Sequence, residues 1–110
     1  MTTRVLFVCS QNRLRSPTAE HVFADVPGLD VSSAGLNHGA ENVLTPDLLA
    51  WADVVFVMEK AHLRRLRERF GPHLKRQRLV CLGIPDDYAY LDPRLVAILE
   101  ERVPRYLPRT

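Results

Sequence analysis

Short, continuous apolar runs alternate along this chain with stretches of helical periodicity. Residues Val5-Leu6-Phe7-Val8 are apolar at successive positions, the pattern of a strand covered on both faces rather than one. After a loop, Ser16 stands where it can cap a helix with Pro17 at the first helical position. Ala19, Val22 and Phe23 then share one face. A Pro27-Gly28 turn leads to a second strand over 29–33, which stops at Gly35. Pro46 opens a short helix carrying Leu48, Leu49 and Trp51, and 53–58 reads as an interior strand. A helix with Leu63, Leu66 and Phe70 turned inward ends near Gly71-Pro72. A fourth strand over 78–82 and a closing helix over 93–103 complete the pattern, with Trp51 and Phe56 read as core. Strands alternating with helices predict an α/β fold, and right-handed crossovers place the helices on both faces of a parallel sheet.

A length of 110 residues supports a single domain over 1–110, built on one core. Apolar residues at 46% and charged residues at 25% fit a globular chain, and no run approaches a membrane span. The N-terminal apolar stretch is short with no cleavage site after it, so it is read as a strand, not a signal peptide. Two cysteines without a secretion signal point to free thiols and a cytoplasmic location. A net charge of +2 names no partner.

The chemistry concentrates in Cys9-Ser10-Gln11-Asn12-Arg13-Leu14-Arg15-Ser16-Pro17. A loop from a strand's C-terminal end to a helix N-terminus can aim several backbone N–H groups at one point, with the helix dipole behind them. Such a nest cradles phosphate. A cysteine at its start meets the same positive field, and such settings lower cysteine pKa values to roughly 3.5–7.5. Arg15 closes the cradle with a planar fork for two phosphoryl oxygens. Ser16 can donate to the thiolate as well as cap the helix, and Asn12 suits a left-handed bend. A cysteine ending a buried strand can also be a plain core residue, but the preceding strand, the helix start and Asn-x-x-Arg-Ser-Pro favour a functional loop.

Residues 5–20 resemble the phosphate-binding loop of the low-molecular-weight protein tyrosine phosphatases. The likeness extends to Ser33-Ala34-Gly35 and, more weakly, to 52–58. It implies a three-layer αβα fold of the phosphotyrosine protein phosphatase I type, with a four-stranded parallel sheet in the order 2-1-3-4. That order puts Cys9 at the switch point where such sheets bind ligands.

A leaving oxygen needs a proton, and a carboxylic acid on a facing loop can supply it. The candidates lie in Ile84-Pro85-Asp86-Asp87-Tyr88-Ala89-Tyr90-Leu91-Asp92-Pro93. The resemblance, with Asp87 in place of the family's proline, implies Asp86 as general acid and Tyr88 as the aromatic beside the substrate. Asp87 and Asp92 are the alternatives. Asp86 and Asp87 can also be simple turn residues, and Asp92 before Pro93 is a good helix N-cap.

Three departures from the family stand out. The connection over 36–51 is much shorter, which implies a missing helix and loop and a more open crevice. Leu14 replaces a cysteine the family often carries, so no disulfide can form within the loop. Arg13 replaces an apolar residue, which implies a preference for substrates with extra negative charge. Cys81 reads as a core cysteine.

Lys60, Arg64, Arg65, Arg67, Arg69, Lys75, Arg76 and Arg78 gather eight of the fifteen basic residues. Without interleaved aromatics they read as a solvated face, not a nucleic-acid surface. His21, His38, His62 and His73 lack metal-ligand spacing with the cysteines, so no metal is expected, and His62 and His73 are read as surface residues. The expected activity is phosphomonoester hydrolysis through a phosphocysteine on Cys9. Its substrate is a phosphorylated protein or small phosphomonoester, and no cofactor or membrane takes part. The alternatives are an arsenate reductase drawing on an external thiol, a phosphocysteine carrier, and a non-catalytic module binding phosphoprotein or RNA.

Overall fold

A computed structural model describes residues 2–107. Strand β1 (Thr3–Cys9) lies inside the sheet, paired in parallel with β2 (Leu29–Gly35) on one side and β3 (Val54–Val57) on the other. Strand β4 (Arg78–Cys81) pairs in parallel with β3, and the order is the expected 2-1-3-4. Helix α1 (Arg15–Phe23) connects β1 to β2, α2 (Pro46–Trp51) precedes β3, α3 (Lys60–Phe70) connects β3 to β4, and α4 (Pro93–Arg102) follows β4.

The sheet divides the one core expected from the length: the period-two alternation of β1 sorts its side chains into two, one on each face. Val5, Phe7 and Cys9 pack with Ala19 and Phe23 of α1 and with Leu95 and Leu99 of α4. Leu6 and Val8 pack with Leu49 of α2 and with Leu66 and Phe70 of α3. Phe7 stacks between Phe23 and Phe56, with centroids 5.8 and 5.4 Å away. Helices on both faces seal β1, which is why it needs an unbroken apolar run. Trp51 is half-buried against the second core, as is Cys81.

The start of α1 corrects the expected cap. The helix begins at Arg15, with Leu14 at the N-cap and no side-chain cap bond. Ser16 lies inside the first turn, fully buried, because its hydroxyl is engaged by the loop instead. Pro17 is still tolerated, since the first helical N–H groups have no intrahelical acceptor. Asp92 does cap α4, accepting from the Arg94 N–H at 2.9 Å, and Thr45 caps α2.

Candidate active site

Cys9 ends β1 between the ends of β2 and β3, where the crossovers leave on opposite faces. Asn12 takes the left-handed conformation at φ 55°, folding the loop back so that its own N–H reaches Cys9 Sγ at 3.2 Å. The Asn12 side-chain amide donates to Ser16 Oγ and to Ser33 Oγ, both at 2.9 Å. Ser33 Oγ is in turn paired with the Glu20 carboxylate, which can only accept when ionised. Since Ser16 already accepts from Asn12, its own proton is free for Cys9 Sγ, 3.0 Å away. Two donors therefore converge on the sulfur from within the protein.

Gly35 makes this loop possible from the neighbouring strand. A Cβ there would stand 2.7 Å from the Ser10 carbonyl oxygen and 3.0 Å from the Asn12 nitrogen. The segment after β2 then buttresses the loop. Leu36, Asn37 and Glu41 donate backbone N–H groups to the carbonyls of Cys9, Ser10 and Gln11 at 2.9–3.0 Å.

Arg15 is 4% exposed, and its Nη1 donates to Glu59 Oε2 at 2.6 Å and to the Ile84 carbonyl at 2.8 Å. With both Nη1 protons used, the Nε–Nη2 edge remains as the two-pronged donor. Asp86 Oδ1 lies 3.7 Å from that Nε, and Asp86 shares the crevice with Cys9, Ser10, Gln11, Arg13, Leu14 and Arg15. Asp87 is exposed and does not line the crevice, and Asp92 is held in a cap with Arg94, which keeps its carboxyl below the ordinary range.

Tyr88 does not face the crevice. It packs half-buried against the first core, with the Arg94 guanidinium 5.4 Å from its ring centroid. Tyr90 is the exposed aromatic nearby, in a shallow groove with Arg13, Pro17 and Glu41. Arg13 points outward, 3.5 Å from the Glu41 carboxylate.

His62, expected at the surface, is buried and belongs to the site. It is the third residue of α3, and a reciprocal capping box with Glu59 folds its ring back over the helix start. Its Nε2 sits 3.0 Å from Ser10 Oγ. Burial first, then the Arg15 guanidinium, lowers its pKa to about 4. The basic stretch is likewise only partly a solvated face. Arg65 Nη2 donates to Asn37 Oδ1 at 2.6 Å, and Arg69 grips the Leu36 carbonyl. Glu20 and Ser33 fell within the stretches that carry the family resemblance but were given no role, and Glu59 was not singled out. The signal that could have marked Glu59 and His62 is position, since both follow the carboxyl end of β3 at the start of α3.

Solved structures share this architecture over nearly the whole chain. SP-PTP, a low-molecular-weight protein tyrosine phosphatase from Streptococcus pyogenes, is 16% identical with a TM-score of 0.80, over 98% of this chain and 95% of that one. The tyrosine phosphatase Wzb from Escherichia coli K30, solved with phosphate, is 22% identical with a TM-score of 0.74, over 96% of each chain. The fold is that of the low-molecular-weight protein tyrosine phosphatases. The YwlE arginine phosphatase from Geobacillus stearothermophilus also shares it, at 19% identity and a TM-score of 0.73, over 98% of this chain and 99% of that one. No family model and no curated protein matches the sequence.

Proposed function

We propose that this protein is a cysteine-dependent phosphatase acting on phosphorylated tyrosine side chains. The observation that carries this reading is the convergence of Cys9, the free edge of Arg15 and the Asp86 carboxylate on one crevice. Cys9 attacks phosphorus while the loop's N–H groups and the Arg15 edge hold the phosphoryl oxygens. The S–P bond forms as the P–O bond to the leaving group breaks, and Asp86 gives that oxygen its proton. Water then attacks the phosphocysteine with Asp86 taking a proton, and Ser16 donates to the departing thiolate. Phosphate and free Cys9 are released.

Two features favour tyrosine over a phosphorylated guanidinium. Leu14 offers an apolar wall that is 38% exposed, suited to a ring. Arg13 at the mouth repels a cationic leaving group. A carrier or a binding module has no use for an acid facing the nucleophile, which supports hydrolysis. Reductase chemistry within the chain is disfavoured by Cys81, whose strand is separated from that of Cys9 by β3. Two strand spacings are roughly 9–10 Å, beyond the roughly 7 Å limit for a disulfide.

The test is hydrolysis of p-nitrophenyl phosphate and a phosphotyrosine peptide by the wild type and Cys9→Ser. Turnover by the wild type and none by Cys9→Ser is expected, with a phosphoenzyme trapped on Cys9 by rapid quench. Wild-type protein that binds phosphate without turning over would overturn the phosphatase reading.

A further inference from the structure

Ser10 follows the proposed nucleophile directly and lines the crevice. Its hydroxyl is surrounded by donors. His62 Nε2 lies 3.0 Å from Ser10 Oγ, and Arg65 Nη1 approaches at 3.4 Å. The direction of the first contact follows from the other ring nitrogen. The Glu59 backbone N–H donates to His62 Nδ1 at 3.2 Å, so Nδ1 presents a lone pair. The single proton of a neutral imidazole is then on Nε2. The charged groups around the ring leave it neutral near pH 7. Arg15 and Arg65 oppose protonation together with burial, against the weaker pull of Glu59 and Asp86. An arginine can only donate. Both acceptor sites of the Ser10 hydroxyl are therefore taken, its proton is left to give, and the open side of the residue is the crevice.

We propose that Ser10 is a preset hydrogen-bond donor to the phosphorylated substrate, oriented by His62 and Arg65, and so a specificity-determining residue of this site. The proposal rests on the phosphatase reading for the identity of the substrate. The group it meets is an acceptor oxygen, either of the phosphoryl group or of a peptide carbonyl beside it. His62 and Arg65 act through Ser10 and are positioning residues. Neither the helix start nor the capping box bonds the Ser10 hydroxyl, but that oxygen is the acceptor for the buried His62 Nε2–H, so threonine, which keeps the oxygen, is the control for a purely structural role.

Binding separates the proposal from turnover. Inorganic phosphate is titrated into the full chain by calorimetry, and a phosphotyrosine peptide into the Cys9→Ser chain. Each titration is run with Ser10 intact and repeated with the Ser10→Ala and Ser10→Thr substitutions. Ser10→Ala is expected to weaken binding by about three- to tenfold, the scale of one hydrogen bond, with Ser10→Thr restoring most of it. Loss for both probes assigns the phosphoryl oxygen, and loss for the peptide alone assigns the carbonyl. A His62→Phe exchange should weaken binding when Ser10 is present and have no further effect beside Ser10→Ala. Losses that multiply independently would overturn the positioning role. Unchanged binding of both probes by Ser10→Ala would overturn the proposal. Failure of inorganic phosphate to bind while Ser10 is intact would instead overturn the phosphate-site reading beneath it, and failure of the peptide alone would overturn the phosphotyrosine reading.

Discussion

The floor and the rim of the crevice are built by different means. The floor is buried and fully cross-bonded: Cys9, Asn12, Arg15, Ser16 and Ser33 are each no more than 5% exposed, and every one has partners. The rim is open. Asp86 is 65% exposed on its side chain, and Arg13 and Glu41 face each other across solvent at 59% and 65%. The floor thus has its geometry before a substrate arrives, as preorganised charge stabilisation requires. The rim has room to adjust, and charge there acts through water. Mutations should therefore fall into two classes, floor changes that cost stability and rim changes that alter rate or preference alone.

The largest expected effect tests the rim. Asp86→Asn should lower kcat by about 10²–10⁴-fold with the substrate carrying a poor leaving group, while leaving urea stability within about 0.5 kcal/mol. A stability loss comparable to a floor mutation would erase the distinction. The complementary floor test is Asn12→Ala, which removes the donor to two buried hydroxyls and places alanine at φ 55°. It should cost about 2–4 kcal/mol in urea unfolding, and activity should fall with it.

The floor's second flank has a pH signature. His62 has its folded pKa depressed to about 4 from 6.5, so the unfolded chain binds more protons between those values. Stability should be intact above pH 6.5 and fall as pH drops towards 4, by on the order of 3 kcal/mol. His62→Asn should flatten that slope in urea titrations between about pH 7 and 4.5. The smallest effect returns to the rim. Glu41→Gln should change stability by less than about 0.5 kcal/mol, because the pair is exposed, yet free Arg13 and lower KM for an acidic phosphopeptide a few-fold. Arg13→Ala with an unchanged preference for acidic peptides would remove Arg13 from substrate choice.

The same contrast explains what could be read from the residues alone. The strands were legible because burial on both faces demands unbroken apolar runs, as in Val5-Leu6-Phe7-Val8 and Val54-Val55-Phe56-Val57. The loop was legible because its members are close in sequence. His62 was not, since its burial depends on α3 starting beside Ser10, a contact across fifty-two positions. Glu59 was missed for the same reason, being forty-four positions from Arg15. Tyr88 was misplaced because it packs on the first core beside the Arg94 guanidinium, a contact that depends on where α4 lies and not on the local sequence. The loop then turns through Leu91, which takes φ 59° and ties its N–H to Thr18 Oγ1 at 2.9 Å, and a left-handed leucine leaves no composition signal.

The parity of β1 has a consequence for how such a site can be altered or transplanted. Cys9 shares a side with Val5 and Phe7, while Leu6 and Val8 occupy the other. Inserting or deleting one residue in the strand would rotate the sulfur towards the opposite helical layer and exchange both cores at once. No substitution within the loop compensates for that half-turn. The first strand of a chain carrying this motif must therefore keep phase, and any graft of the loop onto another sheet has to be counted from the buried residues below it.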